Sequence, residues 1–492
     1  MEYLSFDLGA SGGKMFRGAF NGETLRLTPV HSFANKAIPL AEGLYWDFLG
    51  IYEEMCTGIC KAAADRPFDS FGIDSFNNDF SFINHGGELL FPLRSYRDSR
   101  TSLFADAIYR KISPRALYQY TGNQIAPFNT FMQLAAMRED GLGYVFEQAE
   151  KLLFLPDLLG YYLTGEQYTE YSIAAETQML SWDTREWIGE VLELFQIPRC
   201  LFAPLVMPGS VVGQASPRFM SQYRVPAFSH VAVCEHDTAS AFIAAPVSGD
   251  TAILSCGTWS IIGAETNAPI INDYGYKHNI ANEGSLSGHH RLCVNVMGLW
   301  IIQQLKVEFA LRNLHYNFAQ TQSLALNAPP FAAFINPDNP AFYYPGDMIG
   351  KVSANCLQDG PEGVSPEPGA LFRCVYESLA FQYRWALEKL ECLLGVTFKA
   401  VSFIGGGAQD ELLCRFTANA INRPVIAGPF DATSAGNILV QMQAHGAIDN
   451  IAQGREVIRR SFQLREYLPG ETRIWEEEYG RYCALAHKGD PR

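Results

Sequence analysis

The chain has 492 residues, 48% hydrophobic and 18% charged, and its 52 acidic against 37 basic side chains leave a formal net charge of −15. That length exceeds what one hydrophobic core organises and implies two domains or more. The acidic balance argues against nucleic acid or an anionic membrane surface as partner, so any phosphate must be held by local donors.

No uncharged apolar run is long enough to span a bilayer. The opening MEYLSFDLGA has no basic region, and Asp7 interrupts it, so it does not read as a signal peptide. Eleven cysteines without a repeated CxxC pair suit a reduced, cytoplasmic protein. Cys56 and Cys60, four apart on an expected helix, read as buried thiols rather than metal ligands.

In chain order, an apolar strand over 3–8 ends in Gly9-Ala10-Ser11-Gly12-Gly13 and resumes over 15–20. Glycines there permit a tight reversal and let backbone N–H groups approach an anion. Asn21-Gly22 marks a second hairpin turn, so the start reads as three antiparallel strands. The spacing Gly9-xxx-Gly13-Lys14 is not a P-loop: it is one residue short, lacks Ser or Thr after the lysine, and sits in a hairpin.

Strand and helix signals then alternate, which indicates an α/β domain. Strands are expected over 68–74 and 80–83, and helices over 102–112, 130–138 and 152–163. The segment 231–264 reads as an apolar strand ending at His236-Asp237-Thr238, a short helix, and a second strand-turn-strand about Gly257-Thr258. The turns near residues 10 and 257 share one plan and suggest two duplicated halves, each offering a hairpin to phosphate. Farther on, 294–309 and 368–394 are expected helices, and 313–347 is expected loop. The strand 398–404 runs into Gly405-Gly406-Gly407 and then a helix from 409 to 421, a unit suited to the α-phosphate end of a nucleotide.

Asp237 is the leading candidate for chemistry. A sugar hydroxyl is a weak nucleophile, and a carboxylate within hydrogen-bond reach accepts its proton as attack proceeds. As an isolated aspartate, Asp237 reads first as the N-cap of the helix that follows, and the two roles are compatible. His236 reads as a satisfied core histidine or as a ligand contact. Asp98 between Arg97 and Arg100 reads as a local ion-pair cluster, and His289-His290 as a surface turn rather than a metal pair.

The stretches DLGASGGK, GID, YRDSR, APFNTFMQL, EHDTASA, SCGTWS, NVMGLW, GGGAQDELL and RPVIAGP occur in that order along nearly the whole chain. In them the sequence resembles the FGGY carbohydrate kinases. The resemblance implies an α/β, actin-like ATPase (ribonuclease H-like) fold, with two α/β domains and a central cleft. The domains would be 1–244, with the sugar side and first phosphate hairpin, and 245–492, the nucleotide side. It implies ATP and Mg²⁺ as cofactors and transfer of the γ-phosphoryl group to the primary hydroxyl of a ketose, with L-rhamnulose in first place.

The resemblance also implies roles for single residues. Asp237 matches the family's catalytic base, while His236, Thr238 and Asn295 match sugar contacts, and Asn77 lies in the sugar loop. Ser11, Gly12, Gly13 and Lys14 match the first phosphate turn and Thr258 the second. Gln303 and Gly406 match nucleotide contacts, and Asp7 is placed to hold magnesium through water.

One departure stands out. The branch of the family acting on L-rhamnulose usually has Trp-Gly-Val-Asp where this chain has Phe76-Asn77-Asn78-Asp79. Two asparagines add polar groups and volume to the expected sugar pocket, which favours a substrate able to pair them. L-fuculose, a ketopentose or a branched ketose is therefore the alternative acceptor. A non-catalytic sugar or nucleotide sensor on the same fold is the alternative class. The expected partner is a small ketose, with neither nucleic acid nor membrane, bound by a monomer or homodimer.

Overall fold

Strand Glu2–Gly9 turns back through Ala10 and Ser11 into the antiparallel strand Gly12–Phe20, with Gly9 opposite Gly12 and Asp7 opposite Lys14. Strand Leu25–Ala34 continues on the outer side. On the inner side Ser70–Ser75 runs parallel to the first strand and sets Asp74 beside Asp7. A parallel neighbour needs a crossover, and helix Phe48–Asp65 provides it. Every residue of Ser70–Ser75 is buried, as expected for a central parallel strand covered on both faces. Ser229–Ala232 follows in parallel, and antiparallel Ser210–Gln214 closes the edge.

The structure, a computed structural model, describes all residues except 42, 358–364 and 488–492. The chain divides into two compact units: Met1–Ala244 with Glu265–Leu292 and Ala432–Ser461, and Ala245–Ala264 with Cys293–Asp431 and Phe462–Arg492. Helix Ala432–Ala444 thus belongs to the first unit, and polar side chains tie it to the sheet. Gln441 Nε2 donates to the Leu4 carbonyl at 2.8 Å, and Ser70 Oγ donates to Gln441 Oε1 at 2.6 Å. Gly436 lies so close to helix Asp237–Ile243 that an added Cβ would stand 1.7 Å from the Ser240 carbonyl oxygen. A further core in this unit gathers strands Phe80–Ile83 and Lys151–Phe154 with helix Thr130–Glu139 and the stacked pair Trp187–Phe202.

The second unit repeats the plan. Thr251–Cys256 and Trp259–Thr266 form an antiparallel hairpin. Ala400–Ile404 runs parallel to the first of these after the crossover helix Pro368–Leu394, then come parallel Val425–Ala427 and antiparallel Arg465–Tyr467. Strand His290–Met297 lies beyond Trp259–Thr266. Hairpin, two parallel strands and an antiparallel edge therefore recur in one order in both units, so the duplication expected from the turns extends to whole sheets.

Several expected elements differ. Residues 294–309 are not one helix: strand His290–Met297 precedes helix Trp300–Leu311, and Asp338 Oδ1 takes the Met297 N–H at 2.9 Å where a helix would have continued. Residues 152–154 belong to a strand, and helix Leu155–Thr164 starts with Pro156 in its first turn. The expected loop over 313–347 contains helix Phe318–Asn327, started by a capping box between Asn317 and Gln320. After Ile404 the glycines lead into a 3₁₀ turn, Gly406–Gln409, and the α-helix begins only at Glu411, capped by Asp410. Of the histidine pair, exposed His289 ends a 3₁₀ turn as expected, but His290 opens a strand and is buried. All eleven cysteines are free thiols; Cys56 is buried and Cys60 half-buried. Among the described residues no helix is long and apolar enough to cross a membrane.

Because the atom facing Gly436 belongs to a backbone, that contact cannot relax by a rotamer change. Gly436→Ala is expected to destabilise the first unit by about 1–3 kcal/mol, read as a lower urea midpoint. Gly189→Ala, whose methyl meets nothing within 4 Å, should leave the midpoint unchanged.

Candidate active site

In the first unit, chemistry-bearing residues collect where the parallel strands end, which is where open α/β sheets bind ligands. The Ser75 N–H donates to the Glu235 carbonyl at 2.8 Å, and this lashes the end of strand Ser70–Ser75 to the segment leading into His236 and Asp237. Asp237 is the first residue of helix Asp237–Ile243, with His236 in the N-cap position. The capping role considered for Asp237 is therefore not the one it has; its Oδ1 accepts from the Thr238 hydroxyl at 3.1 Å. Its carboxylate suits the positive end of the helix.

The Asp237 side chain keeps 30% of its surface exposed, while His236 and Thr238 are buried. Burial raises the Asp237 pKa, against the opposing influence of His236 and the Thr238 hydroxyl. Burial lowers that of His236, and the Asp237 charge opposes the shift. His236 Nε2 lies 3.4 Å from Asp237 Oδ1.

Asp74, beside Asp7 in the sheet, is wholly buried. Burial and then repulsion from Asp7 push its carboxyl well above the usual range, while Asn437 Nδ2 donates to its Oδ2 at 2.5 Å. Its Oδ1 is buried without a hydrogen bond. Asp7 and Asp74 offer hard oxygen donors of the kind magnesium takes.

The sugar loop is held from inside. Asn78 adopts φ 72°, a left-handed conformation that asparagine tolerates better than valine. Its Oδ1 accepts the Thr130 N–H at 3.1 Å, and its carbonyl accepts from Gln133 Nε2 at 2.9 Å. Asn78 therefore serves the backbone, and the expectation that both asparagines add polar groups to the pocket fails for this one. Asn77 is half-buried; its Nδ2 donates to Glu176 Oε2, and its Oδ1 accepts from Asn78 Nδ2 at 2.7 Å. Asp79 is buried, accepts the Trp46 indole N–H at 2.5 Å, and is pushed up to about 8 by burial.

Behind this loop lies a cluster that sequence reasoning missed. Arg291 has none of its side chain exposed and brings Nη2 within 3.2 Å of Glu176 Oε1 and 3.0 Å of Glu283 Oε2. His236 Nδ1 contacts the same Glu176 oxygen. Glu176, His236 and Glu283 have the composition of a metal site, but the Arg291 guanidinium already supplies the cation there. Burial pushes the Glu176 carboxyl up to about 7, with Arg291 the strongest opposing influence.

At the first hairpin the reversal is made by Ala10 and the exposed Ser11, and neither Gly12 nor Gly13 has a positive φ. These glycines serve close packing instead: a Cβ on Gly12 would meet the Phe33 carbonyl oxygen at 2.7 Å, and one on Gly13 the Phe33 ring at 2.2 Å. Lys14 is exposed on the strand that follows.

In the second unit the Gly257-Thr258 turn is braced by backbone bonds. Gly298 N donates to the Thr258 carbonyl at 3.1 Å, and Leu299 N to that of Gly257 at 3.0 Å. This fixes Thr258 against the start of the helix that carries Gln303, next to the strand carrying Asn295. The triple glycine divides its labour. A Cβ on Gly405 would stand 3.0 Å from the Cys256 carbonyl oxygen and one on Gly407 2.4 Å from Cys256 Sγ, but one on Gly406 meets nothing within 4 Å. Gly405 and Gly407 seat the turn on the hairpin, and exposed Gly406 is the open position.

The structure thus gathers Asp7, Asn77, His236, Asp237 and Thr238, with the Ser11–Lys14 hairpin, in the first unit. Thr258, Asn295, Gln303 and Gly406 are in the second. Of the missed residues, Asp74 stood within the GID motif. Arg291 stood beside the paired histidines, where a lone arginine reads as surface, and nothing in the local sequence sets Glu176 apart.

Two α/β units, each built on a hairpin with parallel neighbours, the first carrying Asp7, Asp74 and Asp237 toward its strand ends, define a phosphotransferase of the actin-like ATPase fold. The fold is shared with a xylulose kinase from Lactobacillus acidophilus, with TM-score 0.80 and 18% identity, covering 98% of this chain and 97% of that one. It is shared also with Plasmodium falciparum glycerol kinase crystallised with ADP, with TM-score 0.78 and 15% identity over 98% and 97%. Residues 3–244 match the N-terminal domain, and residues 252–445 the C-terminal domain, of the FGGY family of carbohydrate kinases. The chain belongs to that family and is an ATP-dependent sugar kinase. It is 34% identical over 481 residues to a rhamnulokinase of Bacteroides thetaiotaomicron, covering 97% of this chain and 98% of that protein. A rhamnulokinase of Bacillus subtilis is 34% identical over 471 residues, covering 95% and 96%.

Two outcomes test this geometry. Gly407→Ala should lower the melting temperature because its methyl overlaps Cys256, whereas Gly406→Ala should leave it unchanged. For Asp79, a pKa raised in the folded state contributes stability at low pH that is lost as pH rises through about 8. Asp79→Asn keeps a neutral acceptor for Trp46, so urea titrations should show the variant gaining on the wild type as pH climbs from the ordinary carboxylate range through that value.

Proposed function

We propose that the enzyme transfers the γ-phosphoryl group of ATP to the primary hydroxyl of a ketose, with L-rhamnulose the leading acceptor and L-rhamnulose 1-phosphate the product. The carrying observation is Asp237: a partly exposed carboxylate at the strand ends, its basicity raised by burial, with His236 and Thr238 against it and Asn77 joined to His236 through Glu176. A base of that kind accepts the hydroxyl proton as the sugar oxygen attacks phosphorus and ADP departs. The rhamnulokinase relatives, similar over almost the whole chain, support L-rhamnulose as the acceptor.

The remaining assignments are those the resemblance to the FGGY carbohydrate kinases implies. Ser11, Gly12, Gly13 and Lys14 on one hairpin and Thr258 on the other are assigned to the phosphates, and Gln303 and the open Gly406 to the nucleotide. His236, Thr238, Asn295 and Asn77 are assigned to the sugar, and Asp7 to magnesium. Magnesium supplies neutralisation of the phosphate charge when bound. The alternative ketoses keep one supporting observation. Asn77 presents a carboxamide at the sugar loop, although hydrogen bonds to Glu176 and Asn78 already engage it and leave only part of its capacity for a ligand.

The test is an ATP and Mg²⁺ phosphorylation assay across L-rhamnulose, L-fuculose and ketopentoses, comparing kcat/KM. L-rhamnulose should rank first; a higher value for another ketose would replace it, and ketose binding without ATP consumption would identify a sensor. Asp237→Asn should lower kcat by roughly 10²–10⁴-fold while the protein stays folded. Near-normal turnover in that variant would remove Asp237 as base. Asn77→Gly should change the ranking of ketoses more than the KM for ATP, and an unchanged ranking would show that the loop does not select.

A further inference from the structure

We propose that Glu176 is the positioning residue of the sugar site, setting with one carboxylate both the tautomer of His236 and the orientation of the Asn77 carboxamide. The proposal rests on the assignment of His236 and Asn77 to the sugar. Glu176 is itself buried and touches three donors: Arg291 Nη2 at 3.2 Å from Oε1, His236 Nδ1 at that same oxygen, and Asn77 Nδ2 at Oε2. Arg291 is anchored in turn by Glu283 at 3.0 Å, by its Nε–H to the Gly284 carbonyl at 3.2 Å, and by the Phe242 ring.

This arrangement decides where the imidazole proton sits. At an approach as close as that of Nδ1 to Glu176 Oε1, a hydrogen must lie between the two atoms. Arg291 Nη2 also stands 3.2 Å from Nδ1, but Glu176 Oε1 is the nearer neighbour, and with arginine and asparagine N–H groups already facing Glu176 that hydrogen is placed on Nδ1. Nε2 is then left with its lone pair, 3.4 Å from Asp237 Oδ1. In this state His236 accepts a hydrogen bond from a sugar hydroxyl and donates none to Asp237, whose basicity is preserved for the reacting hydroxyl. The groups facing the ring are Glu176, Arg291, Glu283 and Asp237, with the Ser172 hydroxyl oxygen on the His236 backbone N–H. If the Glu176 charge is removed, the proton can move to Nε2, donate to Asp237 and weaken the base. The amide of Asn77 loses its acceptor at the same time.

The experiment reads the tautomer directly. Long-range ¹H–¹⁵N spectra of the whole protein, with His236 identified as the signal lost in His236→Asn, should show an Nδ1–H imidazole in the wild type and a shift toward Nε2–H in Glu176→Gln. An Nε2–H wild type overturns the proposal even if the variant does not fold, and so does a folded variant with an unchanged tautomer. In kinetics, Glu176→Gln should raise the ketose KM and lower kcat, together about tenfold or more in kcat/KM, with the ATP KM within about twofold. In the His236→Asn background its further effect should fall below about threefold. Additive losses, or an ATP KM that moves equally, would reduce Glu176 to a structural role. If the wild type phosphorylates no ketose, the kinase assignment fails, and the tautomer measurement decides this proposal by itself.

Discussion

A guanidinium with no exposed surface persists only where opposite charge and hydrogen-bond acceptors surround it, because the desolvation of a lone buried charge costs several kcal/mol. Arg291 meets that condition with Glu176, Glu283 and the Gly284 carbonyl, and the partners it needs are spread along the chain. Segment 171–176, strand Ala281–Gly284 and the start of helix Asp237–Ile243 are thereby brought together. The proposed sugar contacts Asn77 and His236 hang on this cluster. A small error in any of these segments would leave charge unpaired in the interior, so the cluster imposes precision on the groups in front of it.

The second organising feature is the repeated sheet. In both units a hairpin turns at its tip and its first strand takes a parallel neighbour, so strand ends and turn lie at the same edge. Backbone donors at a turn and side chains at strand ends are then available side by side, an arrangement suited to phosphate on one hand and acid–base chemistry on the other. The units differ in what they add. Helix Ala432–Ala444 supplies Asn437 to Asp74 in the first, and the Gly405–Gly407 turn rests on Cys256 in the second.

Much of this was legible from residue patterns. The three opening strands, the hairpin at Gly257-Thr258, the long helix from Pro368 with its left-handed Gly395, and the position of Asp237 after an apolar strand all follow from alternation, turn chemistry and capping. The failures have identifiable causes. In residues 294–297 three apolar side chains about Asn295 fit helix or strand equally, and only pairing within a sheet decides between them. Asn78 reads as a polar addition to a pocket, yet its side chain answers a backbone demand set by Thr130. Arg291 follows two histidines and reads as surface, because burial of a charge is visible only when its counter-charges are folded around it.

The sequence alone determined the class of architecture, the duplicated hairpins, the family resemblance and the identity of the acid at the strand end, since these depend on short-range periodicity and on motifs a few residues long. Tertiary structure alone decided that the segment after residue 431 returns to the first unit, that Gly406 rather than its neighbours is the open glycine, and that Glu176, Arg291 and Glu283 stand behind the sugar loop. Those facts depend on residues more than a hundred positions apart meeting in a low-dielectric interior, where a charge or a methyl group is tolerated or excluded by neighbours that no local pattern reveals.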